Sequence, residues 1–136
     1  MIAEFKSGCV LLYPANQVGS PILDQIANVI NNAGVQPILP HQTIFTGGDL
    51  SRGVLKLIES ADFVIADITG INPNVMYETG FAHALKKPVL LIAQDGTPIP
   101  VNLAREIYVT YDSEQPDNLL KYVNWWINRH QREKAA

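Results

Sequence analysis

Short apolar runs alternating with longer segments of helical period constrain this chain more than any other feature. The runs lie at residues 9–13, 35–39, 63–67, 88–93 and 106–110, and helical spacing covers 20–33, 50–60, 73–87 and 114–130. Repeated strand-then-helix order predicts a parallel sheet covered by helices, because parallel neighbours need long crossover connections. The punctuation agrees with this order. Ser20 before Pro21 reads as an N-cap and first helical residue, and Gly34 as the residue that stops that helix. Residues 94–105, "QDGTPIPVNLAR", hold Pro and Gly where a fifth helix would otherwise stand.

The expected fold class is therefore α/β: a flavodoxin-like three-layer sandwich on a five-stranded parallel sheet. With 136 residues and 47% hydrophobic content, the chain has enough apolar mass for one domain, residues 1–136, with its own core. Thirteen acidic against ten basic residues, without a long run of either sign, argue against nucleic acid as a partner, since phosphate neutralisation needs clustered cations. The single cysteine, Cys9, stands in the apolar run "CVLLY", reads as a small buried hydrophobe and has no second cysteine to pair with. No apolar run approaches the roughly 18 residues of a membrane span, and no basic segment leads into a cleavable apolar stretch. A soluble, cytoplasmic protein with no membrane partner is the expectation.

Open parallel sheets bind ligands beyond the carboxyl ends of their strands, where the strand order reverses. Those ends name the candidates: Tyr13 with "PANQVGS", which brings Ala15 and Asn16; His41 with "TIFTGGD"; Asp67 with "ITGINPN", which brings Thr69, Asn72 and Asn74; and Gln94 with its loop.

The stretch "NPNVMYETGFAHAL" (72–85) starts as a helix should, with Asn72 as N-cap and Pro73 as the first helical residue. At ~100° per residue, Glu78 falls among Phe81, Ala82 and Leu85, inside the apolar arc, whereas Thr79, His83, Lys86 and Lys87 fall on the polar side. A carboxylate directed at a sheet costs several kcal/mol unless it is paired or neutralised. The arc, the strand-end location and the small Gly80 beside it favour a crevice at the open end of the sheet. A helix-borne carboxylate there suits nucleophilic attack or stabilisation of a cation.

Residues 61–92, "ADFVIADITGINPNVMYETGFAHALKKPVLLI", resemble the central segment of the nucleoside 2-deoxyribosyltransferase-like proteins, a flavodoxin-like superfamily that includes nucleotide N-glycosidases. They are similar also to small bacterial proteins related to Toll/interleukin-receptor (TIR) domains. In the transferases a glutamate within Glu-Leu-Gly-x-Ala attacks the anomeric carbon, and the matching run here is Glu78, Thr79, Gly80, Phe81, Ala82, with Thr79 in place of leucine. Asn102 in "PIPVNL" aligns with a polar residue that, in these enzymes, reaches the sugar or phosphate of a neighbouring subunit's site.

Two departures stand out. Asn72 occupies a place where the family has aspartate or serine, and Val54 a place where members often carry an aspartate. Asp49 is a substitute for that missing aspartate from the loop, or a simple N-cap.

The resemblance implies cleavage or transfer at the N-glycosidic bond of a nucleoside or nucleotide, with Glu78 as nucleophile. Asp67, at the end of its strand, is the candidate for the acid that serves the leaving base or for holding that base. The resemblance also implies a homo-oligomer and calls for no metal or organic cofactor. The amides at Asn72 to Asn74 are expected to hold a phosphate or sugar oxygen. Two other readings stay open: a TIR-like NAD glycohydrolase, and a nucleotide-binding or signalling module without turnover.

Several residues carry a plainer reading. Tyr13 either stacks on a base or bonds Glu78, or is a half-buried strand-end tyrosine. His41, after Pro40, reads as solvated rather than catalytic, and His83 as a polar-face residue. "TGGD" (46–49) lacks the lysine and spacing of a P-loop. Trp125 and Trp126 are adjacent, so one of them points away from the packing face of the last helix and marks a subunit contact.

Overall fold

The computed structural model describes residue 5 and residues 7–43, 50–104 and 106–136. Its five strands are β1 (Gly8–Leu12), β2 (Gln36–Ile38), β3 (Phe63–Asp67), β4 (Val89–Gln94) and β5 (Tyr108–Tyr111). The helices are α1 (Pro21–Asn32), α2 (Leu50–Ser60), α3 (Pro73–Ala84) and α4 (Asp117–Ala135). The strands form one sheet in the order β2-β1-β3-β4-β5, every neighbouring pair parallel. This is the expected flavodoxin-like α/β arrangement. No described helix is long and apolar enough to cross a membrane.

The hydrophobic pattern explains the layers. Strands β1, β3 and β4 are apolar on both faces, as strands buried under helices on both sides must be. Cys9, Leu11, Phe63, Ile65, Leu90 and Ile92 face α1 and α4, where they meet Ile26, Ile30, Val123, Trp126 and Ile127. Val10, Leu12, Val64, Ala66, Leu91 and Ala93 face α2 and α3, against Val54, Ile58, Val75 and Ala82. Pro37 sits in β2, opposite Cys9. That placement is tolerated because β2 is an edge strand and needs no amide on its free side.

Element ends show where local chemistry overrides periodicity. Ser20 takes the N-cap position of α1, but its hydroxyl makes no capping bond. Gly34 does stop the helix. At φ +86° it lets its own amide reach Asn31 O and the Val35 amide reach Ile30 O, the double bond of a Schellman stop. Helix α3 ends the same way at Lys86, with φ +58° and the Lys87 amide donating to Ala82 O. Without a glycine there, periodicity alone runs the helix on to residue 87.

Strand β5 begins two residues later than its apolar pattern predicts, because Tyr108 pairs with Leu91 while Glu106 and Ile107 are exposed. Helix α4 begins after Pro116, since the preceding residues fold into a turn in which Asp112 accepts from the Glu114 and Gln115 amides. It continues past residue 130 to Ala135 and carries Lys134, whose ammonium lies 2.7 Å from Asp62 Oδ1.

Candidate functional site

The strand order reverses between β1 and β3, and a cavity of about 320 Å3 opens there, beyond the carboxyl ends of the strands. One wall comes from the end of β1 and the loop after it: Leu12, Tyr13, Ala15 and Val18. Pro40 and His41, in the 3-10 turn that follows β2, adjoin that wall, and Val54 of α2 contributes an apolar side chain. The facing wall is the first half of α3, with Asn72, Asn74, Tyr77 and Glu78.

The approach to α3 is built by Asp67. Its carboxylate is buried at the end of β3, where it accepts from the Thr69 amide (3.0 Å), the Thr69 hydroxyl (2.5 Å) and the Tyr111 hydroxyl (2.6 Å). Thr69 Oγ1 accepts in turn from the Gln94 amide, so one network ties the ends of β3, β4 and β5. Burial and the negative charge of Asp67 hold the Tyr111 phenol well above its ordinary range. The chain then turns through Gly70 (φ +72°) and Ile71 (φ +51°). A left-handed conformation is strained for a β-branched residue, and here it delivers Asn72 to the start of α3.

Asn72 caps α3 with its side chain: Oδ1 accepts from the Asn74 amide at 3.0 Å and the Val75 amide at 3.2 Å. Those two amides are therefore occupied by the protein, the Asn74 amide of the expected cradle among them. What Asn72 has left for the cavity is its Nδ2 amino group, a donor.

Glu78 is half-buried and has no hydrogen-bond or ion-pair partner among the described residues. Burial alone pushes its carboxyl up to about 7, so near neutral pH it is poised between its acid and its nucleophilic form. Tyr13 stands within electrostatic reach. Burial and the Glu78 charge raise its phenol, and the His41 backbone amide, which donates to the hydroxyl at 3.2 Å, opposes them. The Tyr13 hydroxyl and His41 Nδ1 also share a hydrogen bond, with the two rings edge-on.

The structure thus brings together Glu78, Tyr13, Ala15, Asn72 and Asn74. Asp67 and Thr69 are not among the cavity's lining residues. Asp67 follows Phe63 and Ile65 in strand alternation, so it belongs to the α1/α4 face, and its oxygens are already taken. Asn16 is exposed outside the lining, and so is Gly80, where an added Cβ would touch nothing. Asn102 is exposed in the turn before β5 and does not reach this chain's own cavity. Asp49 and the "TGGD" segment that it closes lie outside the described residues.

The buried stripe of α3 is Val75, Thr79 and Ala82, which corrects the assignment of Thr79 to the polar side. Apolar residues occur all round this helix, so the wheel has no sharp direction, and the small side chains face the sheet. Glu78 stands at the edge of that stripe, Leu85 is exposed, and the Thr79 hydroxyl is buried without a partner among the described residues.

Tyr77 lines the cavity without having been singled out in the sequence. His41, named by the strand-end rule and read as solvated, is indeed exposed, and it is also bonded to Tyr13 and lines the site. Among the described residues no cluster of three or more His, Cys, Asp or Glu stands ready to hold a metal ion.

Comparison with known proteins bears on this arrangement. No protein of curated function matches the sequence significantly. In fold, the chain is similar to a 2-deoxyribosyltransferase of Bacillus psychrosaccharolyticus, with 17% identity over 85% of this chain and 92% of that one and a TM-score of 0.66. It is also similar to the CMP N-glycosidase BcmB of Clostridium botulinum, with 21% identity over 86% and 98% of the two chains and a TM-score of 0.62. A third likeness is to the TIR domain of a Toll-related receptor of Hydra magnipapillata, with 13% identity over 86% and 90% and a TM-score of 0.63. The profile of the family described as nucleoside 2-deoxyribosyltransferase matches residues 17–120, a span that takes in α1 to β5 and the Glu78 helix. By that match, over most of its length, the chain belongs to the nucleoside 2-deoxyribosyltransferase family.

Proposed function

We propose that this protein cleaves or transfers at the N-glycosidic bond of a nucleoside or nucleotide, with Glu78 as nucleophile. The observation that carries the reading is a half-buried carboxylate, without a partner among the described residues, that lines a cavity at the strand-order switch point. The cavity falls within the ~300–1,000 Å3 range of small-molecule sites. Breaking a C–N glycosidic bond builds positive charge on the anomeric carbon, which a carboxylate stabilises and then captures as a covalent glycosyl intermediate. Water or a second base releases the sugar, giving hydrolysis or transfer. Burial strengthens the attraction between Glu78 and the cationic sugar, and the Tyr13 phenol stands within electrostatic reach of the carboxylate. Family membership and the activities of the bacterial proteins of like fold support the same class of chemistry.

Incubation with a panel of 2′-deoxynucleosides, ribonucleosides, their monophosphates and NAD, followed by chromatography of the released base, tests the proposal. Release of a purine or pyrimidine base is the expected result. Release of nicotinamide alone would transfer the site to the NAD reading, and binding without any release would make it a non-catalytic module.

A further inference from the structure

Departure of a base from a sugar needs a proton as well as a nucleophile, because most bases leave poorly as anions. Among the described lining residues the titratable side chains are Tyr13, His41, Tyr77 and Glu78. Asp67, the first candidate by sequence, is held by Thr69 and Tyr111 on the other face of the sheet. Tyr77 lies on the same wall as Glu78, and the Tyr13 phenol is shifted away from neutrality. His41 lines the same cavity as Glu78 from a different element and is the imidazole among them, a ring with one nitrogen to bond the protein and a second to exchange a proton with a ligand.

Its hydrogen bonds also suit the task. The Tyr13 oxygen already accepts from the His41 backbone amide, and it pairs with Nδ1 of the same residue. When Nδ1–H is the donor of that pair, the oxygen's accepting capacity is filled, the phenol's own proton stays free for the cavity, and Nε2 becomes the working nitrogen of the ring.

We propose that His41 is the acid that protonates the leaving base, held in the required tautomer by Tyr13. The inference rests on the reading of the Glu78 cavity as an N-glycosidic site. As the C–N bond breaks, its electron pair stays on the base nitrogen side, and the base takes the proton from His41 Nε2. A Glu78 oxygen forms the new bond to the anomeric carbon. The ring, now neutral and still protonated at Nδ1, accepts a proton at Nε2 from the attacking water in hydrolysis, or from the incoming base in transfer, while the bond to Glu78 breaks. The acid is thereby restored with atoms and charge balanced.

The decisive experiment compares leaving groups. 2′-Deoxyguanosine and 2′-deoxycytidine carry bases that need a proton to leave, whereas 7-methyl-2′-deoxyguanosine carries a cationic base that departs neutral. Base release by wild type, His41→Gln and Glu78→Gln is measured on all three, with thermal unfolding as the check on folding. His41→Gln is expected to slow release from the first two about 100-fold more than from the third, the scale of general acid catalysis, while Glu78→Gln slows all three. Equal slowing of all three by His41→Gln, or none, overturns the inference and leaves the Glu78 reading intact. Undiminished release by Glu78→Gln, or no release from any substrate by wild type, removes that reading and the inference with it.

Discussion

Glu78 is costly to the fold in its charged form. Its carboxyl rises from an ordinary 4.5 to about 7 on folding, by burial, so the folded chain binds the proton more tightly than the unfolded chain. Stability therefore falls as pH rises from about 4.5 to about 7 and is level above that. Glu78→Gln is expected to be more stable than wild type at pH 8, by about 1–2 kcal/mol once the solvent screening of a half-buried group is allowed for. The advantage should vanish near pH 4.5, as urea denaturation at the two pH values will show. The same ionisation sets activity where the base leaves without an acid: release from 7-methyl-2′-deoxyguanosine should climb through pH 6 to 8 with its midpoint near 7, since only the carboxylate attacks. Asn72 modulates this. Asn72→Asp keeps an acceptor for the Asn74 and Val75 amides but puts a second negative charge on the cavity wall. The midpoint of the pH–rate curve should move upward.

At the level of elements, the link between β3 and α3 is where structure becomes site. The Asp67 carboxylate organises it through Thr69 and Tyr111, and Ile71 carries the backbone strain. Tyr111→Phe removes one donor from a buried carboxylate and is expected to cost about 1–3 kcal/mol in urea denaturation. Much of this region was legible in the sequence. Asn72-Pro73 announced the helix start, and the apolar runs placed all five strands. What was not legible has physical causes. The partners of Asp67 come from Tyr111, 44 positions away, and from a turn, so no local pattern separates a structural strand-end aspartate from a catalytic one. The orientation of α3 was misread at Thr79 because its apolar residues surround the helix. The Asn72 side chain occupies the Asn74 amide, one of those that a ligand was expected to use, a competition that spacing cannot show.

For the whole molecule, the strand order puts Tyr13, His41 and Glu78 at one crevice from three separate βα units, the placement that sheet topology dictates. Exposed apolar residues stand elsewhere: Val101 is 85% exposed, Ile107 64% and Trp125 46%, while Trp126 is buried in the core. We infer that these surfaces join copies of the chain and that Asn102, beside Val101, serves a neighbour's Glu78. Sizing at micromolar concentration should find an oligomer, and a strict monomer would remove the shared-site idea.

Base release by Glu78→Gln on a substrate confirmed for the wild type decides whether the carboxylate at position 78 does the chemistry. The amide keeps the size and hydrogen-bonding capacity of the side chain but cannot offset positive charge on the sugar or hold it covalently. Substrate should still bind, while the rate falls by about 1,000-fold or more. Release at the wild-type rate would mean that Glu78 is not the nucleophile.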